Sequence, residues 1–132
     1  MYLNQLNLTE KNAFMSLSIH AANADGVVDD SETLLFQNFC KEMEIPFLDP
    51  KNCADLDQVI KVFAASEPRI KKIVMFELLG LLYTDGEFAP PEQEFARKVA
   101  EGIGVSDSVM KQLSEMVERY YGLLMEISVI ID

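Results

Sequence analysis

Apolar positions along the chain recur at steps of three and four. Ala13, Phe14, Leu17, Ala21 and Ala24 trace one face of a helix over residues 9–24. Thr9 is its expected N-cap, and Asp25-Gly26 its stop. A second helix is expected over 29–43, with Asp29 and Glu32 spaced as a capping box and Leu35, Phe36, Phe39, Cys40 and Met43 on one face. Pro46 and Pro50 mark a connection. A short helix follows over 55–65, with Leu56, Val59, Ile60 and Phe63 inward. Ser66 is the expected cap of a helix that holds Pro68 in its first turn and runs to 84. That helix is apolar nearly all round, which marks it as the most buried one, and Gly80 within it suggests a close neighbour. Pro90-Pro91 opens a helix to about residue 101, which Gly102-Ile103-Gly104 terminates. Ser106 and Asp107 open the last helix, whose apolar positions continue from Val109 to Ile131. No stretch alternates with period two between turn signals, so the expected fold is all-α, with six to seven helices.

The pattern repeats. Asp25-Gly26-Val27-Val28-Asp29-Asp30-Ser31-Glu32 returns as Asp85-Gly86-Glu87-Phe88-Ala89-Pro90-Pro91-Glu92, both reading Asp-Gly-x-apolar-x-x-x-Glu. Shifting by sixty pairs Phe14 with Val74, Ile19 with Leu79, Leu35 with Phe95 and Met43 with Ile103. The expectation is a single domain over 1–132. It consists of two helix–loop–helix units, at about 9–45 and 69–105, and a C-terminal helix over 106–130. The units are expected to pack about a pseudo-twofold axis.

Charge narrows the partners. Asp plus Glu number 22 against 11 Lys plus Arg, a formal charge of −11. Such a field repels nucleic acid and anionic lipid, and attracts divalent cations and basic proteins. Cys40 and Cys53 have no CxxC spacing, which argues against a zinc ribbon or redox motif. Cys40 reads as a small core residue and Cys53 as a free thiol. The first residues lack a basic start and apolar run, and the stretch 73–83 is too short to span a bilayer and is broken by Glu77. A cytoplasmic protein without membrane insertion is expected. The C-terminal helix is apolar to its end, which fits packing across the core or a homodimer contact.

Candidate chemistry gathers at the two Asp-Gly corners. The calcium loop of an EF-hand takes an acid at position 5, Gly at 6, an apolar residue at 8 and Glu at 12. Asp25, Gly26, Val28 and Glu32 have that spacing, as do Asp85, Gly86, Phe88 and Glu92. Position 1, however, is Ala21 or Leu81, and position 3 is Asn23 or Tyr83, so a standard loop is excluded. A looser divalent site remains open. It would use Asp25, Asp29 and Glu32 (with Asp30 nearby) in one copy, and Asp85 and Glu92 (with Glu87 nearby) in the other. Ca2+ or Mg2+ would complete its shell with water and carbonyl oxygens. The competing reading gives these acids to turn and cap hydrogen bonds. His20 reads as a structural or solvated side chain without a nucleophile, so no enzyme is expected. Glu77, if buried, needs a partner such as Arg69, Lys72 or Lys98. Arg69, Lys71 and Lys72 read as a solvated face.

The paired corners, each following a run of small or apolar residues such as Ala21-Ala22-Asn23-Ala24, resemble the TerB family of tellurite-resistance proteins over roughly residues 12–105. The resemblance implies a compact helical array with a cytoplasmic or inner-membrane-face setting. It also implies acidic loop residues suspected of binding divalent metal, a stress-response role, and no demonstrated reaction. Carried over by position, it covers Asp25, Gly26, Glu32, Asp85, Gly86 and Glu92. Asp29 becomes Ala89 in the second copy, which implies an asymmetric site. The alternative is a metal-free helical domain that docks a protein partner.

Overall fold

The computed structural model describes residues 1–25, 30–83 and 89–132, leaving out the side chains of residues 25, 30–33 and 50. Among the described residues there are six α-helices and no strand. They are α1 (Leu8–Ala22), α2 (Asp30–Met43), α3 (Leu56–Ala64), α4 (Pro68–Leu82), α5 (Pro90–Ile103) and α6 (Asp107–Ile131). Short 3-10 turns at Leu3–Gln5, Asn23–Asp25 and Pro50–Asn52 complete the described elements.

The sequence repeat is also a repeat of helix ends. Each bound of α4 lies sixty residues after that of α1, and each bound of α5 sixty after that of α2. The second helix of each pair stops in the same way. Ile45 N–H donates to the Cys40 carbonyl at 3.0 Å, and Val105 N–H to the Ala100 carbonyl at 2.9 Å. This six-to-one closure needs a left-handed residue just before the donor. Gly104 fills that place at φ 97°, and Glu44 fills it at φ 57°. A side chain makes the left-handed conformation costly at Glu44, a cost that Gly104 avoids.

Two helices occupy the interior. α1 packs against α2, α3 and α4, while α4 packs against α1, α5 and α6. Residues 13–19 of α1 are buried without interruption. The sequence marks α4 as the most buried helix, and this is a correction, because α1 is enclosed at least as fully. The signal was obscured by Ser16 and Ser18, both buried. Their hydroxyls are matched locally, as buried polar groups require. Ser18 donates to the Phe14 carbonyl at 2.9 Å, and Ser16 accepts the Ala54 N–H at 3.0 Å. Phe14 meets Phe39 of α2 edge-on, with centroids 5.6 Å apart.

Helix starts differ from expectation in two places. Asn7, not Thr9, caps α1. Its side chain accepts from Glu10 N–H, and Glu10 Oε1 accepts from Asn7 N–H. Ser66 does not cap α4, whose N-cap is Glu67 with no side-chain cap bond. The Ser66 hydroxyl instead donates to Glu10 Oε2 at 2.6 Å, tying the end of α3 to the start of α1. Glu10 is buried, and both of its carboxylate oxygens are used.

The glycines of α4 and α5 also have specific roles. The close approach to Gly80 is the Tyr121 hydroxyl of α6, which donates to the Gly80 carbonyl at 3.0 Å. Gly102 lies inside α5 and is no stop. A Cβ there would stand 2.8 Å from Ile60 Cγ2, so its bare backbone allows α5 to approach α3. Gly104 alone terminates the helix.

Glu77 is buried, and its partners are not the lysines or arginine expected. Its Oε1 accepts Tyr2 N–H at 2.8 Å and lies 3.0 Å from the Met1 ammonium. Glu42 of α2 accepts the same ammonium at 3.0 Å and Leu3 N–H at 3.1 Å. Two carboxylates from separate helices thus hold residues 1–3 against the bundle. Burial works against the charged ammonium, but hydrogen bonds to Glu77 and then Glu42 outweigh it and raise its pKa above 8.0.

Three outcomes follow from this packing. Glu44→Gly raises the urea midpoint at unchanged slope, by about 1 kcal/mol of stability. Gly102→Ala lowers stability by about 1–3 kcal/mol through overpacking on Ile60. A free Met1 amine with a raised folded pKa stabilises fully below its ordinary pKa, and the contribution is lost as pH rises through the folded value. Melting temperature therefore falls from about pH 8 upward. The E42Q/E77Q variant, which keeps acceptors but removes both charges, shows a flatter alkaline decline.

Candidate functional site

The acidic corners sit where α1 gives way to α2 and where α4 gives way to α5. Asp29 and Asp85, like Asp30 and Glu87 beside them, fall outside the described residues or side chains. Asp25 ends the 3-10 turn Asn23–Asp25, and Glu32 lies in α2, but their side chains are outside the description. Glu92 is described. It is half-buried in the first turn of α5, the third residue of the helix, directly after Pro90-Pro91. A carboxylate there is favoured by the positive end of the helix dipole. The turn Asn23–Asp25 packs against α5, so the first corner touches the helix that opens from the second.

The geometry explains why neither corner is a standard calcium loop. The helices α1 and α4 continue through Ala22 and Leu82. Position 1 of each loop, Ala21 or Leu81, is therefore a buried apolar side chain inside a helix. At position 3, Asn23 Nδ2 donates to the Ile19 carbonyl at 3.1 Å, which caps the end of α1. Tyr83 stacks near Tyr121, with ring centroids 6.0 Å apart. The candidate donors that remain are carboxylates, the ligand type that hard cations take. Ala89 is the N-cap of α5 and offers no cap oxygen, so a reciprocal capping box cannot account for the second corner. Among the described residues no three His, Cys, Asp or Glu side chains group closely enough to hold a metal ion.

Sequence spacing missed one contact. His20 and Cys53 are 33 residues apart, yet Cys53 Sγ lies 4.0 Å from His20 Nε2. The same nitrogen lies 2.8 Å from the Ala54 carbonyl. A carbonyl can only accept, so Nε2 carries the proton and is committed to Ala54. It cannot take a proton from the thiol, and the pair does not make an activated nucleophile. It fastens the 53–54 connection to α1, beside the Ser16 bond to Ala54 N–H.

No described helix is long and apolar enough to cross a membrane. No curated protein and no solved structure matches the chain. The family model described as "Tellurite resistance protein TerB" matches residues 11–115, from within the first turn of α1 through the first turns of α6. With both helix pairs and both acidic corners inside that match, the chain belongs to the TerB family.

Proposed function

We propose that this chain is a non-enzymatic TerB-family module whose Asp-Gly…Glu corners bind a divalent cation, Ca2+ or Mg2+. The ligands would be Asp25, Asp29 and Glu32 at the first corner and Asp85 and Glu92 at the second. The setting proposed is cytoplasmic, in a stress response of the tellurite-resistance kind. The carrying observation is the recurrence of one acidic motif at two helix junctions sixty residues apart in a TerB chain. A charge of −11 supports it, since the field concentrates cations around the molecule. The commitment of His20 Nε2 to the Ala54 carbonyl supports the non-enzymatic part. With so few carboxylates per corner, water and carbonyl oxygens would fill much of the shell, which points to modest affinity.

A second reading, a metal-free helical domain that docks a protein, is favoured by a different observation. The outer face of α6 exposes Met116, Tyr120, Leu123 and further large apolar side chains.

Titration with Ca2+, Mg2+, Mn2+ and Zn2+, followed by amide NMR, separates the two. The metal reading expects the Gly26 and Gly86 amides to shift saturably at or below about 1 mM Ca2+ or Mg2+, the range of weak oxygen-ligand sites. Asp25→Asn abolishes the response at the first corner, and Asp85→Asn at the second. Amides that stay still to about 10 mM of each metal would sink the cation reading and leave the docking one.

A further inference from the structure

We infer that the outer face of α6 pairs antiparallel with the same face of a second copy of this chain, Arg119 of each opposing Glu126 of the other. The inference is independent of whether the corners bind metal.

α6 uses one side on its own core, where Val117 is buried and Val109, Met110, Leu113 and Tyr121 are partly buried. A second stripe starts at Leu113 and leaves that side from Met116 onward. Leu113, Met116, Tyr120, Leu123, Ile127 and Ile130 follow one another in alternating steps of three and four. That is the 3.5-residue repeat of a coiled-coil seam, held for about two and a half heptads. Leu113 is half-buried, and the other five are exposed, from 42% at Tyr120 and Ile127 to 83% at Ile130. A helix facing only water has no physical reason to keep this period.

The seam is complementary to itself when reversed. Placing Tyr120 opposite Leu123 of the second copy also sets Met116 opposite Ile127 and Leu113 opposite Ile130. The twofold generates the other half, so the pairing is closed and buries the same patch on both chains. Along one flank, Arg119 then meets Glu126 of the second copy, twice by symmetry. Along the other flank lie the exposed Leu124 and Ile131, which widen the apolar strip beyond the buried Val117. Flanking charges set orientation in such pairs. A parallel pairing would set Tyr120 on Tyr120 and bring Arg119 and Glu126 against Leu124 and Ile131, with no opposite charge in reach.

The bundle supplies a receiving end. Beside Leu113 and Met116 lies a groove of about 520 Å³, lined also by Tyr2, Arg69, Lys72, Ile73 and Phe76. The antiparallel register delivers Ile130 of the second copy to Leu113, at the mouth of this groove. Asp132 of that copy follows, toward the basic side chains of Arg69 and Lys72. A lipid surface fits less well. Interfacial helices carry a Lys- and Arg-rich rim, whereas residues 119–132 hold one Arg and two acids.

Sedimentation velocity from about 1 to 100 µM in ~150 mM salt tests the pairing, and a reversible monomer–dimer equilibrium is expected. The L123E/I127E variant, altered only at exposed positions, keeps its far-UV CD and weakens the dimer at least ~100-fold by placing carboxylates in the seam. R119E and E126R each weaken it about tenfold, and R119E/E126R restores it to within roughly threefold of the native chain. Residues 119 and 126 lie about 10.5 Å apart along one helix, so recovery cannot arise within a chain. A monomer throughout, or a dimer indifferent to L123E/I127E, overturns the proposal. So does dimerisation without charge-swap recovery. A monomer that floats with phosphatidylcholine vesicles overturns it in favour of lipid.

Discussion

The enclosure of α1 and α4 by the other helices is the constraint on which everything else in this chain depends. Each is fifteen residues long, and each packs on the other. A helix buried on all sides must hide its side-chain polarity or satisfy it on the spot. Ser16, Ser18 and Glu10 in α1 are matched to backbone or hydroxyl partners, and Glu77 in α4 takes the Tyr2 N–H and the Met1 ammonium. The satisfied groups also fasten the periphery. Ser16 and His20 hold the 53–54 connection, Glu10 holds the end of α3, and Glu77 holds residues 1–3. The central pair thus positions the rest through a few polar ties as well as through apolar contact.

The same enclosure explains where the acidic corners are. α1 and α4 leave the interior at Ala22 and Leu82, where the buried apolar run ends. Asp-Gly follows within a few residues in both copies. A carboxylate in the first turn of the helix that comes next is stabilised by the positive end of the helix dipole, whether or not a ligand is bound. Glu92, half-buried in the first turn of α5 behind two prolines, shows the arrangement directly.

Much of this was legible in the sequence. The all-α class, the order of the six described helices and most of their ends follow from apolar spacing with Gly and Pro punctuation. What sequence spacing misjudged shares a physical character. The rank of α1 was hidden by serines whose hydroxyls bond within reach of their own helix or its neighbour. Apolar spacing alone places the cap of α1 at Thr9, whereas Asn7 and Glu10 have the capping-box spacing and form the box. Side-chain letters offer Glu77 only Arg69, Lys72 or Lys98, because its partners, the Tyr2 N–H and the Met1 amine, are backbone groups. The contact of His20 with Cys53 and Ala54 joins a helix to a loop, and no local period encodes it. At the sites, the spacing identified the acids but not their arrangement, since Asp25, Asp29, Glu32 and Asp85 lie outside the described side chains.

Charge and apolar surface occupy different parts of the molecule, and this bears on association. Two chains of −11 repel each other, but the repulsion between exposed charges is screened beyond about 8 Å at physiological salt. What matters is the charge within that distance of a contact. From Arg119 to Ile131 the chain has two charged residues, of opposite sign, while seven of the other eleven are Leu, Met, Ile or Val. A surface so depleted of charge on so acidic a molecule is where a second acidic chain could approach at least electrostatic cost. Seven of the 22 acids lie instead in the two stretches 25–32 and 85–92. The long apolar end of α6 is therefore best understood together with the charge of the whole chain: it is the region where the field that keeps these molecules apart is weakest.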